Sequence, residues 1–171
     1  MEQTLEKESP LWKRTVIIDE IIEEETGSRI VQEMLSLLHD DETAPITIMI
    51  SSYGGSVAEL FSIYDVIRAA RQTCIVRTIC YGKAYSAASL ILASGSKGYR
   101  YMYPSAKTMI HGIQLYGIVP GAVVNTAIPF MESTMADYRK FIDMYSYETT
   151  KQVVDDVEAS PSEDVMIEAS K

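Results

Sequence analysis

Two cysteines, two histidines and one tryptophan are all that 171 residues contain of those types. Cys74 and Cys80 fall in one apolar segment whose alternation places them on the same face of a single strand, too far apart in register to bridge. They read as small buried hydrophobes in a reducing compartment. No set of His, Cys, Asp and Glu shows ligand spacing, so neither a metal site nor a cofactor is expected. Basic clusters are missing too: 15 Lys and Arg stand against 24 Asp and Glu, for a net charge of −9. Such a surface repels phosphate backbones, and nucleic acid is not an expected partner. The longest apolar run, around residues 86–94, falls well short of the ~20 residues of a membrane span. The opening MEQTLEKESPLWKR is charged and carries no apolar signal core. The expectation is a soluble, cytoplasmic protein with no membrane partner. No internal repeat or low-complexity tract is visible.

What is present suits one globular domain: 47% of the residues are hydrophobic and 23% charged, over a length within the roughly 100–200 residues of a single core. Residues 1–13 are polar and expected to be a flexible N-terminal segment, with 14–171 forming the domain. Thr15 to Ile18 is a β-branched run and predicts a strand. An acidic loop from Asp19 leads through Thr26-Gly27-Ser28 to a helix, where Ile30, Val31, Met34, Leu35, Leu37 and Leu38 recur at helical spacing until His39-Asp40-Asp41. Ile46 to Ile50 is a second strand, followed by Ser51-Ser52-Tyr53-Gly54-Gly55-Ser56 and a helix carrying Val57, Leu60, Phe61, Tyr64 and Ile67. A third strand, Ile75 to Cys80, meets Gly82, and a helix beginning near Ser86 ends at Gly95. Short strands follow at 98–103 and 107–110. Strands and helices alternating at short intervals predict βαβ units on a largely parallel sheet, with ligands beyond the carboxyl ends of its strands. Further on, 112–121 is an apolar, glycine-punctuated connection, 122–147 is helical in pattern, and Pro129 starts or kinks a helix there.

Acyl transfer needs a nucleophile, a base, a group to orient the base, and donors aimed at the developing oxyanion. Ser86 sits where a strand hands over to a helix, so it reads either as an N-cap or as a nucleophile surrounded by the first free N–H groups of that helix. His111 ends a predicted strand and reads either as a structural histidine or as a base. His39, among acids at a helix end, suits the helix dipole. Gly54-Gly55 is either a plain turn or a backbone able to approach a ligand closely; it lacks the spacing of a dinucleotide or P-loop motif. Asp164 is a solvated carboxylate, the cap of a short terminal helix, or the orienting acid.

The blocks SSYGGSVAELFSIYDVI, ICYGKAYSAASLILASGSKGYRYMYP and KTMIHG resemble, in order and interval, the proteolytic subunits of the Clp protease family, which are self-compartmentalised serine peptidases. The resemblance runs from about Leu11 to the C-terminus. It implies an α/β fold, a ClpP/crotonase-like spiral of βαβ units with a projecting strand–helix handle at about 112–148. It also implies a catalytic triad of Ser86, His111 and Asp164, with oxyanion-hole N–H groups from Gly55 and Ala87. Glu163 and Glu158 are rivals of Asp164, because the interval from His111 exceeds the family's usual one. Tyr53 stands where the family has proline, and Tyr85 and Ala88 flank the serine where smaller residues are usual.

The partners implied are other copies of the chain in a heptameric ring, two such rings stacked through the handle, and an ATP-dependent AAA+ unfoldase. At the family's aromatic docking positions this chain has Thr47, Met49 and Ala69, which implies altered docking or a different partner. The function implied is a serine endopeptidase acting on unfolded polypeptides or peptides. Two rivals of other classes keep the fold: a non-catalytic ring subunit acting as scaffold or adaptor, and a crotonase-type acyl-CoA enzyme.

Overall fold

The computed structural model describes residues 12–111 and 165–168. Its elements follow in the order β1 (Thr15–Ile18), α1 (Glu24–Asp40), β2 (Ile46–Ser52), α2 (Val57–Ala70), β3 (Val76–Tyr85), α3 (Ala87–Ala93), β4 (Arg100–Met102), β5 (Lys107–Ile110) and β6 (Val165–Glu168). β1, β2 and β3 are parallel neighbours, β3 also pairs in parallel with β4 and β5, and β5 pairs antiparallel with β6. This is the parallel α/β arrangement that the alternating pattern predicts. The expected handle lies outside the described residues, as do residues 1–11.

β2 shows why the strands form here. Its residues alternate between buried and half-buried positions, so Ile46, Ile48, Ile50 and Ser52 face inward while Thr47 and Met49 face out, the period-2 signature of a strand. Across the sheet, Val16, Ile18, Val76 and Cys80 join them, and the helices add Ile30, Met34, Leu60, Ile63, Ile67, Leu90 and Ile91, all fully buried. One core therefore sits between the sheet and its crossover helices. Ala69, at the end of α2, is exposed.

Four features differ from the sequence expectation. α1 begins at Glu24, so Thr26-Gly27-Ser28 lies inside the helix and not in a preceding loop. Acidic Glu24 and Glu25 in the first turn favour that start, and buried Gly27 gives room to α2: a Cβ there would overlap the Glu59 side chain. β3 does not stop near Gly82 but runs on to Tyr85, because its second half gains a new neighbour in β5. Cys74 lies before β3, off the strand that carries Cys80; both thiols are free and buried. Residues 165–168 form a strand and not a short terminal helix.

β3 divides the sheet. Thr78–Cys80 pairs with β4, whereas Lys83–Tyr85 pairs with β5. Between the two stretches the register to β2 jumps from Ile50↔Cys80 to Ser52↔Ala84, so Tyr81, Gly82 and Lys83 stand opposite Ser51 alone. Gly82 permits this bulge: a Cβ there would lie 2.6 Å from Ser51 Oγ. A bulge bends its strand and re-aims the residues beyond it, which here are Tyr85 and Ser86.

Candidate active site

The turn from β3 into α3 is built around Ser86. Its backbone has φ 52° and ψ −125°, and it is the one non-glycine residue with positive φ among the described residues. An N-cap serine has an extended backbone and bonds its hydroxyl to the helix's N–H groups; Ser86 does neither. The capping reading therefore fails, and the half-buried side chain is held in a strained conformation of a kind that clusters at active sites. The strain is fixed from both sides. The Ser86 N–H donates to the Met109 carbonyl at 2.8 Å, and the Ser86 carbonyl accepts from the Ser89 N–H at 2.9 Å and from Ser89 Oγ at 2.5 Å. Below it, Thr108 Oγ1 donates to the Ala84 carbonyl at 2.7 Å in a buried position.

Those bonds also place the histidine. Tyr85 is paired with Met109 across β3 and β5, so Ser86 and His111 leave the carboxyl ends of two adjacent parallel strands. His111 is half-buried. The end of β5 is flanked on its other side by β6, where Ile110 is paired with Val165. Asp164, together with its rivals Glu163 and Glu158, lies outside the described residues.

The glycine pair meets the same turn. Gly54 is buried, with φ 89°. A Cβ on it would stand 2.5 Å from the Tyr85 carbonyl oxygen, 2.8 Å from Ser86 Cβ and 2.9 Å from the Ala87 nitrogen. Gly55 is exposed, and a Cβ on it would overlap the backbone of Ile22. The Ile22 N–H donates to the Gly54 carbonyl at 2.8 Å and its carbonyl accepts from the Ser56 N–H at 2.7 Å. That parallel bridge uses the groups on either side of Gly55 and turns its own N–H away from Ile22. Ala87 opens α3, whose first N–H groups have no partner within the helix. Gly54 thus brings the loop that carries Gly55 against the turn from Ser86 to Ala87.

Ser52 was not singled out by sequence patterning, yet it anchors the loop. At 1% exposure, its hydroxyl donates to the Glu20 carbonyl at 2.6 Å and accepts from the Gly54 N–H at 3.1 Å. Ser52→Ala leaves the buried Gly54 N–H and the partly buried Glu20 carbonyl without that partner, a loss of about 1–3 kcal/mol set mainly by the buried N–H. The expected outcome is a lower midpoint in urea unfolding and slower reaction of Ser86 with a fluorophosphonate; an unchanged labelling rate would remove Ser52 from the site's support.

The surroundings narrow the chemistry. Burial pushes the Cys74 and Cys80 thiols up, away from the nucleophilic thiolate. Among the described residues, no group of three or more His, Cys, Asp and Glu could hold a metal ion, and no helix is long and apolar enough to cross a membrane. Ala88 is fully buried and packs inward. Tyr53 and Tyr85 meet edge to face, their ring centroids 5.9 Å apart.

Together these features define a largely parallel α/β protein of βαβ units, with a strained serine where the carboxyl end of β3 hands over to α3. The chain belongs to the Clp protease family, whose sequence model matches residues 4–171. Among curated proteins it is similar to an ATP-dependent Clp protease proteolytic subunit of Bdellovibrio bacteriovorus, 38% identical over 104 residues, which is 61% of this chain and 48% of that protein. It is also similar to proteolytic subunit 1 of Thermobifida fusca, 35% identical over 99 residues, 58% of this chain and 44% of that one. The chloroplastic proteolytic subunit 3 of Arabidopsis thaliana is 34% identical over 122 residues, 71% of this chain and 38% of that one. The chain spans about half the length, or less, of these relatives.

Proposed function

We propose that the protein is a serine endopeptidase and a subunit of a self-compartmentalised ring protease that hydrolyses peptides or unfolded polypeptides. The observation that carries this reading is Ser86 itself: a strained serine whose hydroxyl is not spent on capping α3, one strand away from the strand that delivers His111. Relatives named as Clp protease proteolytic subunits support the reading.

In the mechanism, His111 accepts the Ser86 proton while Oγ attacks the carbonyl carbon of the scissile peptide bond. The negative charge that forms on the carbonyl oxygen is met by the N–H groups of Gly55 and Ala87. The tetrahedral species collapses, the C–N bond breaks, and His111 returns its proton to the leaving amine. Water then attacks the acyl-enzyme with His111 again as base, releasing the second product and restoring Ser86. Asp164 is the proposed orienting acid; its chain neighbour Val165 is paired with Ile110, the residue before His111. A heptameric ring, stacking through residues 112–148, and an AAA+ unfoldase complete the proposal. Thr47 and Met49 on the outer face of β2 and exposed Ala69 favour an unfoldase contact unlike the aromatic one of the family.

The test is labelling of the assembled protein with a fluorophosphonate, read by native mass spectrometry. One label per subunit on a ring-sized species is expected, lost in Ser86→Ala and His111→Ala. A ring that takes up no label would instead be a scaffold, and the peptidase reading would fall.

A further inference from the structure

Beside Ser86 stands a cation for which the mechanism has no use. Lys83 and Tyr85 are two apart on β3 and share a face, with buried Ala84 on the other. The Lys83 ammonium lies 4.3 Å from the centroid of the Tyr53 ring, which itself meets Tyr85 edge to face, the two ring planes at 71°. Tyr53 precedes Gly54 in the chain and Tyr85 precedes Ser86, so this trio borders both the nucleophile and the glycine loop. Among the described residues, no carboxylate is ion-paired with Lys83; the ion pairs there join Arg29 to Glu20 and Glu33.

The arrangement selects by charge. A ring face holds an ammonium by its quadrupole without neutralising it, and the remaining N–H donors stay free for a second partner. Lys83 also occupies one face of Tyr53, which an aromatic or cationic substrate side chain would otherwise take. What the trio presents to a bound peptide on that face is a positive charge. Resting on the peptidase reading above, we propose that Lys83, steadied by Tyr53, is a specificity-determining residue that favours peptides with a glutamate or aspartate side chain near the scissile bond.

The experiment uses the assembled full-length protein and matched fluorogenic peptides carrying Glu or Gln in turn at each position flanking the cleaved bond. A carboxylate beside a partly exposed ammonium is worth about fivefold in kcat/KM. The Glu:Gln ratio is therefore expected near that value at one position in the wild type and near one in Lys83→Met. Tyr53→Phe keeps the ring and is expected to keep the preference, whereas Tyr53→Ala weakens it. Raising the salt should shrink the wild-type ratio by screening, an arm that needs no variant to fold. Fluorophosphonate labelling of Ser86 separates two failures. A wild type that labels but shows a ratio of one at every position, or a Lys83→Met that keeps the preference, overturns the specificity proposal alone. A wild type that does not label overturns the peptidase reading and this proposal with it.

Discussion

Ser86→Gly is expected to give a protein that is inactive yet more stable than the wild type. The activity side follows from the proposed role: without the hydroxyl no acyl-enzyme forms, and loss of the nucleophile in serine peptidases costs about 10⁴-fold or more in kcat. The stability side follows from the backbone. A serine at φ 52° and ψ −125° sits where side chains are disfavoured, at a cost of about 1–3 kcal/mol. Glycine relieves that strain, while its freedom in the unfolded chain takes back about 0.5–1 kcal/mol. The net gain is of order 1 kcal/mol, to be read as a higher unfolding midpoint at fixed protein concentration, since assembly also contributes to apparent stability. Ser86→Ala is the control: equally inactive, but with its Cβ still in the strained region and no gain. A Ser86→Gly variant less stable than Ser86→Ala would show that the turn is not strained.

Gly54→Ala is expected to cost both activity and stability, and Gly98→Ala only stability. Both positions have positive φ, 89° and 84°, so each alanine incurs a backbone penalty of about 1–2 kcal/mol. They differ in what a Cβ would meet. At Gly98 there is nothing within 4 Å, whereas at Gly54 the nearest atoms are the Tyr85 carbonyl oxygen, Ser86 Cβ and the Ala87 nitrogen. None of these is the end of a flexible side chain, so the glycine loop and the start of α3 must move apart. A displacement of about 1 Å at reacting groups costs about 100-fold in rate, and that drop in kcat/KM is the expected reading for Gly54→Ala. Near-normal turnover by this variant would mean that the Gly54 contact does not set the site's geometry.

Much of this frame was legible in the sequence. The alternating burial of β2 and the apolar spacing of α1 and α2 are local patterns, which is why β2 and α2 lie where they are expected and α1 ends where it is expected. Ser86, His111 and the glycine pair are each ordinary at a strand end, where serine and glycine abound; they stand out only together, by an order and intervals that resemble those of the family. Where local patterns mislead, a distant partner intervenes: α1 absorbs Thr26-Gly27-Ser28 because Gly27 packs under Glu59, and β3 outruns Gly82 because β5 offers new pairing. Ser52 gives no sequence signal, since a serine that bonds across 32 residues to the Glu20 carbonyl looks like any serine after a strand.

ICYGKAYSAASLIL by itself determined that a serine would stand between a strand and a helix, because residue preferences and periodicity are written over a few neighbouring positions. Whether that serine capped the helix was decided only by tertiary structure. The Met109 carbonyl on β5, the Gly54 backbone beneath the turn and the bulge at 81–83 hold Ser86 at a positive φ that no local preference would choose. The contact of Lys83, Tyr53 and Tyr85 is of the same kind. Its residues come from the loop after β2 and from the end of β3, some thirty positions apart in the chain, and their order in sequence carries no trace of the face they share.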